Sequence, residues 1–390
     1  MEAKQIYSLI NSVSSEVLGK TDIVTEDLSG VVDMGTAVFN ANAVDNYVKS
    51  LVNHIGKVVF VNRPYSGKVP SVLMDAWEFG SVLEKISADV PQAEENDTWN
   101  LTDGTEYKQD VFHKPTVTAK FFNSKVTFEV PVSITERQVK ESFSSAAQLN
   151  GFISMIYNAV EKSMTIKTDA LVMRTINNMV AETLTADIAA FGGKSALDYS
   201  TGSTVRCVNL LKLYNDKFGK TITAEQSVTD ADFIRFASYT MGLYADRMQS
   251  ISTLFNVGGK ERFTPKDALH VVLLSDFAKA AQTYLYSDTY NKNEVLLPNA
   301  ETVPCWQASG KDYSFTNVSK IDVKSASGAS VSVGGVLGVM FDRDAIGVCN
   351  LDRRVTTNYN AKAEFFNNYY KFDAGYFNDT NENFVMFFVA

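Results

Sequence analysis

Very little in this chain of 390 residues is built for chemistry. Its three cysteines, Cys207, Cys305 and Cys349, lie far apart and form no CxxC pair. That leaves no sequence-readable zinc site and favours reduced thiols over a disulfide framework. Histidine is equally scarce: His54, His113 and His270 stand alone, so the commonest general base is missing from most of the chain. There is no GxSxG elbow, no HExxH pair and no GxxxxGK[ST] loop, so acyl transfer, zinc hydrolysis and P-loop chemistry lack their signatures. Gly192-Gly193-Lys194 and Gly258-Gly259-Lys260 have the wrong spacing for a phosphate cradle and read as turns. Basic residues are outnumbered, 36 Lys and Arg against 45 Asp and Glu, for a formal net charge of −9. No block of like charge stands out, and an acidic balance disfavours adhesion to phosphate backbones. Apolar runs such as Phe384–Ala390 fall well short of the ~20 residues that span a bilayer. The start, MEAKQIYSLINS, has Glu2 early and no apolar core of signal-peptide length. Without a secretory route the N-x-[ST] sites at Asn96, Asn100, Asn317 and Asn378 carry no meaning. The absences together predict a soluble protein that stays in the cell making it. They leave no catalytic, cofactor-binding or metal-binding residue to nominate.

What the chain does have is apolar periodicity, in a composition that is 45% hydrophobic and 21% charged. Ile6, Leu9, Ile10, Val13 and Val17 recur at helical spacing, and Gly19-Lys20 close that helix. Val44, Tyr47, Val48, Leu51, Val52 and Ile55 repeat the device over 41–55, closed by Gly56-Lys57. Val58–Val61 reads as a strand. A long polar, acidic middle follows, containing Pro91-Gln92-Ala93-Glu94-Glu95-Asn96-Asp97, and then TVTAKFFNSKVTFEVPV (116–132) alternates as strands do. Two strand regions around a stretch with little apolar period fit an extended arm. A leg of about 25 extended residues would span roughly 80 Å.

The strongest helical signal runs from about Ala146 to Leu184, with a possible capping box at Ser145 and Gln148. Unbroken, it would be about 58 Å long, which marks a structural spine. Its stripe falters at Thr165–Thr168, a place for a bend. After Gly192-Gly193 come Val205–Phe218 and a helix over 230–255 carrying Phe233, Ala237, Met241, Tyr244, Met248, Ile251 and Phe255. Leu269–Leu274 reads as a buried strand, Ser275-Asp276 as the start of another helix, and 318–333 as strands around a Ser/Gly-rich turn. The order is α+β.

The C-terminal quarter, VLGVMFDRDAIGVCNLDRRVTTNYNAKAEFFNNYYKFDAGYFNDTNENFVMFFVA, is the most informative part. An apolar strand stops at Asp342-Arg343-Asp344, returns through Ala345-Ile346-Gly347, and leads by a polar, Asn-rich stretch to an aromatic strand. Its aromatics have only Lys371 interleaved between Phe365 and Phe388. They therefore read as core and subunit-interface packing rather than as a base-stacking platform. With VTFEVPVSITERQVKES leading into the long helix, this layout resembles the major capsid proteins of tailed bacteriophages, the Hong-Kong-97 fold. The resemblance covers nearly all of the chain in order. It implies an N-terminal arm at 1–56, an extended β arm (the E-loop) at 57–125, a peripheral domain at 126–230 and 348–390 with the spine helix, and an axial domain at 231–347.

That resemblance implies a structural protein and no enzyme. Copies would assemble as pentamers and hexamers into an icosahedral virion shell around double-stranded DNA, without sequence-specific binding and in the host cytoplasm. Portal and scaffolding proteins, and decoration proteins in some shells, would be the other partners; a membrane would not. With about 56 residues before the arm, a separate scaffold or protease-free assembly is expected, and no intersubunit crosslink. Assembly-interface candidates are Asp342, Arg343 and Asp344 at the strand end and Glu94, Glu95 and Trp99 on the arm. Asp342-Arg343-Asp344 also has the place of an active-site acid pair, but no distant partner is identifiable, so turn and interface hydrogen bonds are the expected role. The competing readings are an encapsulin-type compartment holding protein cargo, a soluble α+β enzyme, and a tail or adhesin component.

Overall fold

The computed structural model describes residues 3–19, 70–74, 83–91, 93–107, 112–135, 146–187, 202–286, 300–307, 312–324 and 330–390, with isolated positions 37, 46, 47, 50, 137, 138 and 328. In chain order the helices are α1 (Ala3–Leu18), α2 (Ala146–Asp187), α3 (Leu210–Phe218), α4 (Ala224–Ser227), α5 (Ala231–Arg247), α6 (Ser275–Tyr286) and α7 (Phe315–Val318). The strands are β1 (Leu73–Met74), β2 (Leu83–Ala88), β3 (Val117–Phe122), β4 (Lys125–Thr135), β5 (Cys207–Asn209), β6 (Leu269–Leu274), β7 (Ala300–Val303), β8 (Ile321–Lys324), β9 (Ser330–Val333), β10 (Val336–Asp342), β11 (Ile346–Asn360), β12 (Phe365–Asn378) and β13 (Phe384–Phe388).

The centre is a five-stranded mixed sheet in the order β5-β13-β10-β6-β7. Its inner strands, LHVVLL, VLGVMFD and FVMFF, are apolar apart from His270 and Asp342, as strands buried on both faces are. Alternate residues divide between the two faces, as strand geometry requires, with the alternation of β10 shifted once by an irregularity between Val336 and Gly338. Val272, Leu274, Val339, Phe341, Phe384, Met386 and Phe388 meet Val172, Ile176, Met179, Val180 and Leu184 of α2. Val271, Leu273, Leu337, Met340, Val385 and Phe387 meet Tyr214, Phe233, Ala237, Met241 and Phe277 of α3, α5 and α6. A second, four-stranded sheet has the order β1-β11-β12-β4. β11 and β12 form a long hairpin, interrupted by one irregularity between Asn350 and Arg353. The same helix α2 packs against this sheet as well, touching β4, β11 and β12.

α2 runs unbroken through Thr165–Thr168, where the sequence pattern allowed a bend. The faltering stripe has a local explanation: Thr168, Thr175 and Thr183 lie on the buried side, and each returns its hydroxyl to the carbonyl four residues earlier, at 2.8–2.9 Å. A hydroxyl satisfied within the helix can sit in a core that a hydropathy pattern marks as polar. Asn177 donates to the Trp306 carbonyl (2.9 Å), and Trp306 Nε1 donates to the Val336 carbonyl (2.8 Å). Asp187 lies buried in the last described turn of α2, where a negative charge is unfavourable toward the helix dipole. Arg206 clasps that carboxylate and also reaches the Asn256 carbonyl, with Thr204 donating as well.

Three local expectations change. The 230–255 helix ends at Arg247; the chain turns back in an antiparallel bridge between Ser252 and Arg262, which exposes Ile251 and folds Phe255 into the core. The segment before α3 starts as strand β5, paired in parallel with β13. The Asn-rich stretch is itself strand β11, and the closing aromatic run is two strands, β12 and β13, in different sheets. The expected helix over 41–55, the strand at Val58–Val61, Ser145 of the capping box and Gly192-Gly193 lie largely or wholly outside the described residues.

Gly338 tests how tightly the central sheet is closed. A Cβ there would stand 2.7 Å from Leu273 Cδ2 and 2.9 Å from the Val272 carbonyl oxygen, whereas at Gly334 it would meet nothing within 4 Å. Gly338→Ala should lower unfolding stability by about 1–3 kcal/mol, and Gly334→Ala should stay near wild type. Denaturant unfolding of the two variants measures the difference.

Candidate assembly surfaces

β2 and β3 pair only with each other among the described strands and carry residues 89–116 between them. They form an arm; earlier in the chain Ser71 donates twice to the Glu301 carboxylate and β1 lies parallel to β11. The two faces of this hairpin are reversed from the usual arrangement. Its inward face carries Leu83, Lys85 and Ser87 opposite Phe122, Lys120 and Thr118. Its outward face carries Glu84, Ile86 and Ala88 opposite Phe121, Ala119 and Val117. Ile86 is 65% exposed and Phe121 61%. The charged side therefore lies on the subunit's own body, and the apolar side faces away from it.

Lys85 and Lys120 are direct cross-strand partners, and like charges placed opposite each other repel. The counter-charge comes from the turn between β12 and β13, residues 379–383. Asp379, only 2% exposed, stands between the lysines, with Oδ2 2.9 Å from Lys85 Nζ and Oδ1 3.0 Å from Lys120 Nζ. Glu382 takes Lys85 at 2.8 Å and Arg262 at 3.2 Å. Lys120 also donates to Thr380, Lys85 to the Asp344 carbonyl, and Lys260 to Asp89 at the start of the arm tip. Burial opposes the charge on Asp379, but the Lys85 ammonium, hydrogen bonds from both lysines and the Asn381 N–H overcome it and hold the carboxyl below its usual range. Burial likewise opposes the Lys85 charge, and the bond to Glu382 with the Asp379 charge outweighs it, raising the ammonium.

Asp342, Arg343 and Asp344 close the β10–β11 turn. The Asp342 carboxylate accepts the Asp344 N–H (2.9 Å), its carbonyl accepts the Ala345 N–H (2.8 Å), and the Arg343 N–H donates to the Ala268 carbonyl (2.8 Å). Asp342 is buried, while Arg343 and Asp344 are exposed and lie 4.0 Å apart. Asp344 touches the arm through its carbonyl alone. Glu94, Glu95 and Trp99 sit on the arm tip, all exposed, Trp99 at 95%. Gly259 adopts φ +63° in the turn expected there, and a side chain at Gly258 would overlap Asn381. The Gly-Gly-Lys turn thus seats the β12–β13 turn and brings Lys260 to the arm. The sequence reading missed Lys85, Lys120, Arg262, Asp379 and Glu382. The available signal was the pair of lone lysines in LEKISA and VTAKFF, set against the polar run NDTNEN between two aromatic strands.

Among the described residues no three His, Cys, Asp or Glu side chains converge as a metal site, and no helix is long and apolar enough to cross a membrane.

The model of the Phi29-like phage major capsid protein family matches residues 9–388. Comparison of the sequence with curated proteins gives no match. Among solved structures, the fold is similar to a chain of the capsid of Staphylococcus phage Andhra, at 9% identity and a TM-score of 0.50, covering 84% of this chain and 86% of that one. A chain of the capsid of cyanophage P-SCSP1u aligns at 11% identity and a TM-score of 0.44, over 85% and 92% of the two chains. The fold correspondence rests on the first of these.

Asp379→Asn should release the arm at a cost of about 1–3 kcal/mol, since a buried charge partner is lost. Hydrogen exchange over 83–122 should rise while the β6–β10–β13 core stays protected. Adding Lys120→Met should recover part of the loss, because it removes the cross-strand repulsion. The pH dependence has two limbs. The lowered Asp379 pKa gives stability that is present above the unfolded carboxylate pKa and lost as pH falls through the folded value. The raised Lys85 pKa gives stability that is present below the unfolded lysine pKa and lost as pH rises through the folded value. Arm protection should therefore show a plateau across neutral pH and decline on both sides.

Proposed function

The chain belongs to the Phi29-like phage major capsid protein family and is a capsid shell protein; on that premise we propose how it builds the shell. Copies assemble as pentamers and hexamers, and these rings close into an icosahedral container for double-stranded DNA. The N-terminal arm is 1–56, the E-loop 57–125, the peripheral domain 126–230 with 348–390, and the axial domain 231–347. The observation that carries this reading is the reversed hairpin, which puts Ile86, Val117 and Phe121 outward while its lysines hold it to its own subunit. An exposed apolar strip on a fixed arm is a surface made for a second copy. Repetition around a ring makes each contact heterologous, and many modest contacts then add through multivalency.

The acidic net charge limits adhesion of packaged DNA to the wall, so DNA is enclosed rather than recognised by sequence. Asp342 serves as a turn residue in this scheme, and Arg343, Asp344, Glu94, Glu95 and Trp99 as contact residues. Portal and scaffolding proteins, and where present decoration proteins, complete the particle during assembly in the host cytoplasm.

Electron microscopy of the purified protein, alone and co-expressed with its genomic neighbours across a concentration series, tests the proposal. Closed uniform shells or five- and six-membered rings are expected, and Phe121→Asp with Ile86→Asp should abolish them without unfolding the subunit. A monodisperse monomer or dimer under every condition would overturn it. Shells that hold protein cargo and no DNA would overturn the genome-container part alone.

A further inference from the structure

We infer that the arm is seated by a timed step: it becomes a fixed surface only after residues 379–388 have been made and inserted, so a chain still in synthesis is held back from assembly. The consequence for assembly rests on the shell reading; the order of seating does not. Lys120 of the arm precedes Asp379 by 259 residues. At about 5–20 residues per second, that interval lasts on the order of 10–50 s. Throughout it Lys85 and Lys120 are without Asp379 and Glu382, the carboxylates that hold them. What is made earlier holds the arm less. Lys260 pairs with Asp89 at a partly exposed site, and Asp344 offers Lys85 a carbonyl. Glu182 of α2 lies near Lys120 but is itself engaged by the Asn378 side chain.

The seat in turn waits for β13. That strand lies between β5 and β10 in the central sheet, antiparallel to β10 and parallel to β5. Among the described strands, β5 joins the sheet only through β13. Phe384, Met386 and Phe388 fill the α2 side of the sheet and Val385 and Phe387 the other, all buried. Before β13 arrives both layers lack these side chains and β10 has an open edge. The missing burial is comparable to the net stability of a typical domain. Once β13 is in, the Val389 N–H donates to the Gly335 carbonyl, and a side chain at Gly335 would overlap the Val389 carbonyl; the strand end enters a closed slot. Until then the turn 379–383 is anchored by β12 alone and does not place its carboxylates. A free arm must be ordered anew at every contact, which weakens each of the many contacts that a shell needs.

Ribosome complexes of the full chain test this. The chain is followed by a linker and a translation-arrest sequence; a short linker keeps residues 379–388 inside the exit tunnel and a long one frees them. Hydrogen exchange over 83–122 should be at least about tenfold slower with the long linker than with the short one. Release of the short-linker chain by puromycin should bring the same protection. In the long-linker complex, Asp379→Asn with Glu382→Gln should open the arm while β6 and β10 stay protected, which separates an unseated arm from an unfolded chain. Released subunits added in excess should co-sediment with long-linker complexes and not with short-linker ones. An arm already protected with the short linker, an arm that stays open with the long one, or a double variant that leaves its protection unchanged would overturn the timed seating. Equal co-sedimentation of the two complexes, or none with either, would overturn the hold on assembly and leave the seating order. Released wild-type protein that forms no shell or ring would remove the shell reading and that hold with it, while the exchange data still decide the order of seating.

Discussion

The Asp379 carboxylate joins the arm to the body. Lys85 and Lys120 face each other across a two-stranded hairpin too small to be stable alone, and without a counter-ion their repulsion would open it. Asp379 answers both lysines from a nearly dry position. Surface ion pairs contribute little, but this carboxylate is buried and accepts from two ammonium groups and a backbone N–H, the setting in which losing a partner is costly. The outward projection of the arm's apolar strip follows from this group being held in place, with Glu382 on Lys85, Lys260 on Asp89 and Phe377 on Phe122 adding to it.

Asp379 is held in place by the core. β12 lies in the four-stranded sheet and β13 in the five-stranded sheet, and only Asp379–Asn383 lie between them. The chain must cross from one sheet to the other within that turn. Its backbone is tied on both sides: Asp379 N–H to the Ala345 carbonyl, Asp342 N–H to the Asn383 carbonyl, and Gly258 N–H to the Thr380 carbonyl. The buried Asn383 side chain donates to Thr264. Because α2 packs on both sheets, their relative position is set by one rigid element. The path from apolar burial to assembly surface is short: the helix fixes the sheets, the sheets fix the turn, and the turn fixes the arm.

The elements with strong period were legible in the sequence. β6 matched its expected limits, β10 extends the expected apolar strand by one residue, and α2 covers the whole of the expected helix. The strip LHVVLL cannot be mistaken for an exposed strand, and a helix of such length has few alternatives. Less was legible where a side chain's role depends on distant partners. Nothing local to LEKISA says that its lysine meets an aspartate nearly three hundred residues later, and alternation alone did not distinguish a hairpin lying charged-side down from one lying apolar-side down. Ile251 and Phe255 continue the stripe of α5 by spacing, yet the Ser252–Arg262 bridge competes successfully with another helical turn. β11 was read as merely polar because its outer half alternates half-buried and exposed residues, so the sheet gives it no apolar run.

Seating an arm by charge rather than by apolar packing has a physical consequence for a capsid shell protein. Apolar residues spent on the seat would be unavailable to the neighbour, and an arm free to fold onto its own body would bury its strip in the wrong place. Two lysines pointing inward prevent both, since the inward face has no apolar surface beyond Leu83 and Phe122 at the hairpin base, where Phe122 meets Phe377. In the proposed shell the outward strip of Ile86, Val117 and Phe121 would be covered by other copies. In the proposed shell, pre-setting the arm would also reduce the ordering cost of each contact. The ion-paired turn and the apolar strip are therefore two sides of one arrangement: electrostatics decides where the arm points, and in the proposed shell hydrophobic burial decides what it joins.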